Sequence, residues 1–207
     1  MTPSLVRCCT PAIALLLTLS GCSEIFGPGT TTVPDGELTI IAVRSDAPAL
    51  EALEVSFWAK KGEDREVQIR YEYANGTTAK CLRFIVPSDA LSRAPNGRHL
   101  VTGDSVEIKI QVLDPHLFLF EFNPGRLQFD PKNPARMEVR YTYASLDLNG
   151  NGIEGDPEDL AIRERFGLWK QERPGGIWAR IGSRRDEDRM ELYADINGFT
   201  RYALAAD

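Results

Sequence analysis

From Glu37 onward the chain repeats one pattern: short runs of β-branched and aromatic residues, interleaved with polar ones and broken by Gly, Pro, Asn or Asp. In Ser105-Val106-Glu107-Ile108-Lys109-Ile110-Gln111-Val112 the apolar side chains take one face and the polar ones the other. That period of two is what a half-buried antiparallel strand requires. Met137, Val139, Tyr141 and Tyr143 alternate with Glu138, Arg140 and Thr142 in the same way. No long apolar period of 3.6 accompanies these runs, so the chain reads as mainly β. Strands are expected over 37–44, 54–59, 65–73, 79–86, 105–113, 117–122, 136–143, 166–172, 177–183, 190–196 and 199–205. Asn75-Gly76 and Pro174-Gly175-Gly176 supply the positive-φ residues that tight hairpin turns need. One short helix is expected over 157–165, with Pro157, Glu158 and Asp159 at its start and Leu160, Ile162 and Phe166 turned inward. The expected architecture is an antiparallel β-sandwich, immunoglobulin-like or related, over 37–207, long enough to bury a core without staples. Two smaller sandwiches divided near residue 114 are the alternative.

Residues 1–21 stand apart: Arg7 precedes an apolar run over 12–19, and small residues lead to Cys22, the layout of a secretory signal. The run falls well short of the about 20 apolar residues that cross a bilayer. Leu19-Ser20-Gly21-Cys22 resembles the lipobox of bacterial lipoproteins. The resemblance implies cleavage before Cys22, a diacylglycerol on its thiol and palmitate-type acyl chains, which together anchor stably where one chain would not. Ser23 in place of Asp points, by the same resemblance, to the outer membrane. An ordinary secretory signal followed by an incidental Cys is the other reading. Residues 22–36 contain Gly27, Pro28, Gly29, Pro34 and Gly36 among threonines, the composition of a flexible tether.

Charge and cysteines narrow the partners. With 24 Lys and Arg against 30 Asp and Glu, the net charge is -6, and the signal segment carries only Arg7. A mildly acidic surface without a basic cluster argues against nucleic acid and against a polybasic grip on anionic lipid. Cys8 and Cys9 lie in the signal and Cys22 takes the lipid, so Cys81 is left unpaired. Within Cys81-Leu82-Arg83-Phe84-Ile85-Val86 it reads as a small core hydrophobe.

The sharpest chemical motif spans 147–158. Asp147-Leu148-Asn149-Gly150-Asn151-Gly152-Ile153-Glu154-Gly155-Asp156-Pro157-Glu158 satisfies the twelve-residue pattern of calcium loops. Calcium takes six to eight hard oxygens, so such a loop sets oxygen-bearing side chains at alternate positions, a Gly at the bend and a carboxylate at the end. The segment resembles the loops of EF-hands and dockerin-type modules. That resemblance puts Asp147, Asn149, Asn151 and Glu158 on ligand positions and makes Ile153 a backbone ligand. It departs from them in its two neutral Asn residues, in Glu154 where an apolar residue is usual, in Pro157 before the terminal Glu, and in the strand-like segment upstream. A plain pair of Asn-Gly turns is the alternative.

Catalytic signatures are absent: no G-x-S-x-G, H-E-x-x-H, P-loop or G-x-G-x-x-G occurs. His99 and His116 sit at turns or strand ends and cannot alone define a zinc site. Trp58, Trp169 and Trp178 fall in expected strands, where packing is the ordinary role and a carbohydrate-stacking face is the other. The stretch from Leu168, with Trp169-Lys170-Gln171-Glu172, Ile177-Trp178 and the ending Gly198-Phe199-Thr200-Arg201-Tyr202-Ala203-Leu204-Ala205, is similar to the ends of β-sandwich domains in bacterial surface proteins. Some of those are related to the sandwich of ankyrins and netrin receptors, and Asn197-Gly198 stands here where Thr-His is usual. The resemblance implies a non-catalytic sandwich at a cell surface. The expected function is thus a membrane-anchored envelope lipoprotein whose sandwich binds an envelope protein or glycan, or serves structurally, with calcium as its one cofactor. The alternative is a periplasmic enzyme with a dispersed site.

Overall fold

The computed structural model describes residues 30–207. In chain order the strands are β1 (Thr32–Val33), β2 (Thr39–Ile40), β3 (Glu54–Lys60), β4 (Arg65–Glu72), β5 (Thr78–Val86), β6 (Leu91–Arg93), β7 (Ser105–Asp114) and β8 (Leu119–Asn123). They continue with β9 (Gln128–Phe129), β10 (Ala135–Arg140), β11 (Gly167–Gln171), β12 (Trp178–Arg180), β13 (Ser183–Asp186), β14 (Glu191–Ile196) and β15 (Arg201–Ala206), with helix α1 (Pro157–Glu164) between β10 and β11. An eight-stranded sheet runs β1-β12-β11-β15-β8-β7-β3, with β2 also on β15, and a five-stranded sheet runs β13-β14-β10-β5-β4. All strand pairs are antiparallel, and the two sheets face each other as a sandwich.

The period of two decides what lies between the sheets. Ile108 and Ile110 of β7, Phe120 and Phe122 of β8 and Leu204 of β15 meet Leu82 and Phe84 of β5, Met137 and Val139 of β10 and Leu192 of β14 in one buried core. Cys81 belongs to it, and burial pushes its thiol up to about 12, which removes thiolate reactivity. Gly76 and Gly175 take φ of 79° and 76° at the β4–β5 and β11–β12 turns, as hairpins there require. Both sheets draw strands from either side of residue 114, which is the last residue of β7 and pairs with Leu119 in the β7–β8 hairpin.

Residues 32–36 differ from the tether expectation. Thr32 and Val33 pair with Ala179 and Trp178, while Asp35 accepts hydrogen bonds from Gln171 Nε2 at 2.8 Å and Trp178 Nε1 at 3.1 Å. The chain then crosses the outer face of the larger sheet to β2, and Val33, Leu38 and Ile40 cover Trp169, Trp178, Ala203 and Ala205. Composition alone supplies this segment with little to bury. The tryptophans of a remote hairpin supply it instead. Residues 1–29, which include the signal segment, Cys22 and the first part of the tether, lie outside the described residues. Short β1, β6 and β9, which no sequence period could announce, complete the sheets or pair with each other.

Candidate functional site

The strands give the sandwich two distinct ends, and β11 and β15 run from one to the other. At the helix end, α1 leads directly into Gly167, and Arg165 and Arg180 both reach Asp207 at the chain's last residue. The segment 147–158 lies here. Asp147 accepts the backbone N–H groups of Gly150, Asn151 and Gly152, Asn149 Oδ1 accepts that of Asn151, and Asn151 Oδ1 accepts that of Ile153. Glu158 Oε2 accepts Asn149 Nδ2 at 3.1 Å, and Ile153 is exposed. Asp147, Asn149 and Asn151 thus spend side-chain oxygens on the N–H groups of their own loop, and Glu158, in the first turn of α1, meets that set through the Asn149 amide.

Two carboxylates outside that ligand set organise the loop. Asp159, 2% exposed, accepts the N–H groups of Leu148, Asn149 and Asp156. Asp156 caps α1 by accepting the N–H groups of Glu158 and Asp159, completing a reciprocal capping box, and also takes the Asn151 amide at 2.7 Å. The signal for both was present in sequence as Asp-Pro-Glu-Asp, an N-cap followed by Pro and an acid three residues on. The Asp159 N–H hydrogen bond, with the Asn151 amide next, holds the Asp156 carboxyl below the usual carboxylate range. Arg185 closes the other end of α1 by donating to the carbonyls of Arg163, Glu164 and Phe166. The hard oxygens suit calcium chemistry, but the Asn149 and Asn151 amide nitrogens face the Asp156 carboxylate, so a cation drawing on Asp156 would displace those two donors. No group of three or more His, Cys, Asp or Glu among the described residues is arranged to hold a metal.

At the opposite, loop end, the segments 92–97, 121–129, 170–174 and 195–202 enclose an open concavity of about 1300 Å³. Its floor is aromatic. Phe122 meets Phe84, Phe199 and Tyr202 with ring centroids 5.2, 5.4 and 5.3 Å apart, and Phe129 meets Phe199 at 5.2 Å. These rings are almost wholly buried, and Tyr202 donates to the Gly198 carbonyl at 2.5 Å. Edge-to-face packing of this kind stiffens the floor beyond its area burial.

The rim is polar and charged. Five basic residues line it against three acidic ones. Glu121 pairs with Arg201 at 2.8 Å, Glu172 with Lys170 at 2.6 Å, and Asp195 with Arg136 from outside the rim at 3.8 Å. Arg93 donates only to the Gly97 carbonyl at 3.2 Å, and Arg126, held at φ 68°, has no carboxylate partner among the described residues. Sequence reading missed this site because its parts come from four separate connections; only the odd placement of Arg126 after Asn123-Pro124-Gly125 hints at it.

Of the three tryptophans, Trp169 and Trp178 are buried beneath the 32–40 segment, and Trp58 stands 61% exposed on β3, the last strand of the larger sheet, opposite Glu107. On the outer face of the smaller sheet, Lys80 bonds Glu138 at 3.0 Å and Glu191 at 2.8 Å, and Arg140 bonds Glu191 at 2.9 Å. Burial would raise the Glu191 carboxyl, but the Lys80 and Arg140 hydrogen bonds outweigh it and hold it below its ordinary value. Arg83 lowers Glu66 to about 2 in the same ladder. Comparison with family models, with curated proteins and with solved structures finds no significant match to this chain.

Proposed function

We propose that the chain is a non-catalytic lipoprotein of the bacterial envelope, anchored through Cys22 in the outer membrane, whose sandwich presents a binding face to an envelope glycan or protein. What carries the reading is the polarity of the domain. Arg180 N–H bonds the Thr31 carbonyl at 2.9 Å, and Thr30 and Thr31 lie beside Glu164, Phe166 and Arg185, so the polypeptide joins the domain at the helix end. The concavity opens at the other end. A lipid attached upstream of Thr30 therefore leaves the aromatic-floored, charged rim pointing away from the bilayer. Replacing Cys22 with Ala is expected to release the protein from the membrane fraction and abolish metabolic labelling with palmitate. Unchanged labelling in that variant refutes the anchor.

Calcium belongs to the same proposal as a structural ion at the helix end. Asp147, Asn149, Asn151 and Glu158 would hold it with the Ile153 carbonyl, and its role would be to neutralise the carboxylates gathered between 147 and 159. A site of modest affinity suits an exported location, and an ion at a hundredfold its Kd adds about 2.7 kcal/mol. The domain is expected to melt several degrees higher in millimolar calcium than in chelator, with most of the difference lost in Asp147→Ala and in Glu158→Ala. A melting temperature indifferent to calcium reduces the segment to a hydrogen-bonded turn.

A further inference from the structure

We infer that the concavity at the loop end binds a carboxylated oligosaccharide, a chain of uronic acids, with Arg126 as the principal contact for its carboxylates. The inference rests on the reading of this end as the binding face. Charge comes first. In a chain of net charge -6, the rim is locally positive, and each of its three carboxylates already has a basic partner. Arg93 and Arg126 therefore present charge that nothing in the described residues neutralises. An Arg in this state recognises a carboxylate through two parallel N–H bonds.

Shape and polarity then choose the ligand class. The concavity of about 1300 Å³ exceeds the roughly 300–1,000 Å³ of ordinary small-molecule pockets, so an oligomer fits it better than a single small acid. An acidic peptide would need apolar slots for anchoring side chains. None is offered here, because Phe122, Phe129, Phe199 and Tyr202 pack against one another and expose at most 5% of their surface. Gln128 and Asn197, by contrast, lie on the rim with side-chain amides free of internal hydrogen bonds, and amides pair well with sugar hydroxyls. Uncompensated guanidinium groups, free amides and a stiff polar-rimmed trough together match a ligand that carries both carboxylates and hydroxyls.

The test is calorimetric titration of the acylated chain in detergent with hexagalacturonate, beside maltohexaose as the neutral glycan and hexaglutamate as the acidic peptide. Hexagalacturonate is expected to bind and to weaken from low to physiological salt, while the other two bind at least about tenfold more weakly. Arg126→Asn keeps a residue that accepts φ 68° and is expected to lower the affinity about five- to tenfold with the melting temperature unchanged. Arg93→Gln should act in the same direction. Absence of hexagalacturonate binding, equal binding of hexaglutamate, or an affinity unmoved by Arg126→Asn overturns the inference. Those results leave the anchoring reading intact, since it stands or falls on the Cys22→Ala labelling alone.

Discussion

The two ends of the sandwich solve the polar-group problem in opposite ways. At the helix end, Asp147, Asp156 and Asp159 absorb the N–H groups of their own loop and of the first turn of α1, and Arg185 takes the carbonyls at the last turn. What that network leaves over is carboxylate charge rather than open donors. At the loop end the apolar rings are saturated with one another, while Arg126, Gln128 and Asn197 face solvent uncommitted. A rigid base beneath unsatisfied polar groups is what lowers the ordering cost of binding. The contrast teaches that a closed hydrogen-bond network marks a structural closure, and that a stiff floor under open donors marks a place for a partner.

The strongest way to break the contrast is to remove the floor. Phe122→Ala is expected to cost about 3–5 kcal/mol, because its ring meets three others and the cavity left behind cannot collapse between paired strands. Denaturant unfolding measures this, and a loss near zero would mean that the floor is soft. Next comes the helix end, where Asp159→Ala leaves three part-buried N–H groups without their acceptor and is expected to cost about 1–3 kcal/mol, read by the same unfolding. Hydrogen exchange should then rise across 148–159 and stay unchanged over 121–129, or the two ends are not independent.

Acid sharpens the comparison further. Asp156 and Glu191 titrate below their ordinary values of 3.8 and 4.5, so their contribution to stability is complete above about 4.5 and drains away as pH falls through the lowered folded-state values. Both lie toward the helix end. Exchange protection there is expected to fall first on acidification, while the aromatic floor, which has no group that titrates in acid, keeps its protection until global unfolding. Glu191→Gln should flatten the acid limb of the stability curve. The smallest effect on stability belongs to Arg126→Asn, expected within about 0.5 kcal/mol of wild type, which would separate binding from folding at the loop end.

Much of this architecture was legible in the sequence. Alternation over 105–112 and 136–143 reports the core-facing side of β7 and β10, and the Asn75-Gly76 and Pro174-Gly175 turns announce two hairpins. The helix start was legible from Pro157, Glu158 and Asp159, and the burial of Cys81 from its apolar neighbours. Each of these is a local property: a side-chain period, a backbone angle or a cap depends on residues a few positions apart.

What folding alone decided depends on residues that meet across long separations. Alternation placed Glu138 on a polar face, yet Glu191 at 4% exposure owes its burial to Lys80, a partner 111 positions away. Thr32 and Val33 read as linker until Trp178, in a hairpin at the far end of the chain, gave them a strand to pair with and a ring to cover. Arg93, Arg126 and Asn197 carry no shared motif, and they share one rim because the antiparallel strands deliver four connections to the same end. Strand period and turn chemistry are encoded within a few residues, whereas register and sheet order are settled by the whole core at once.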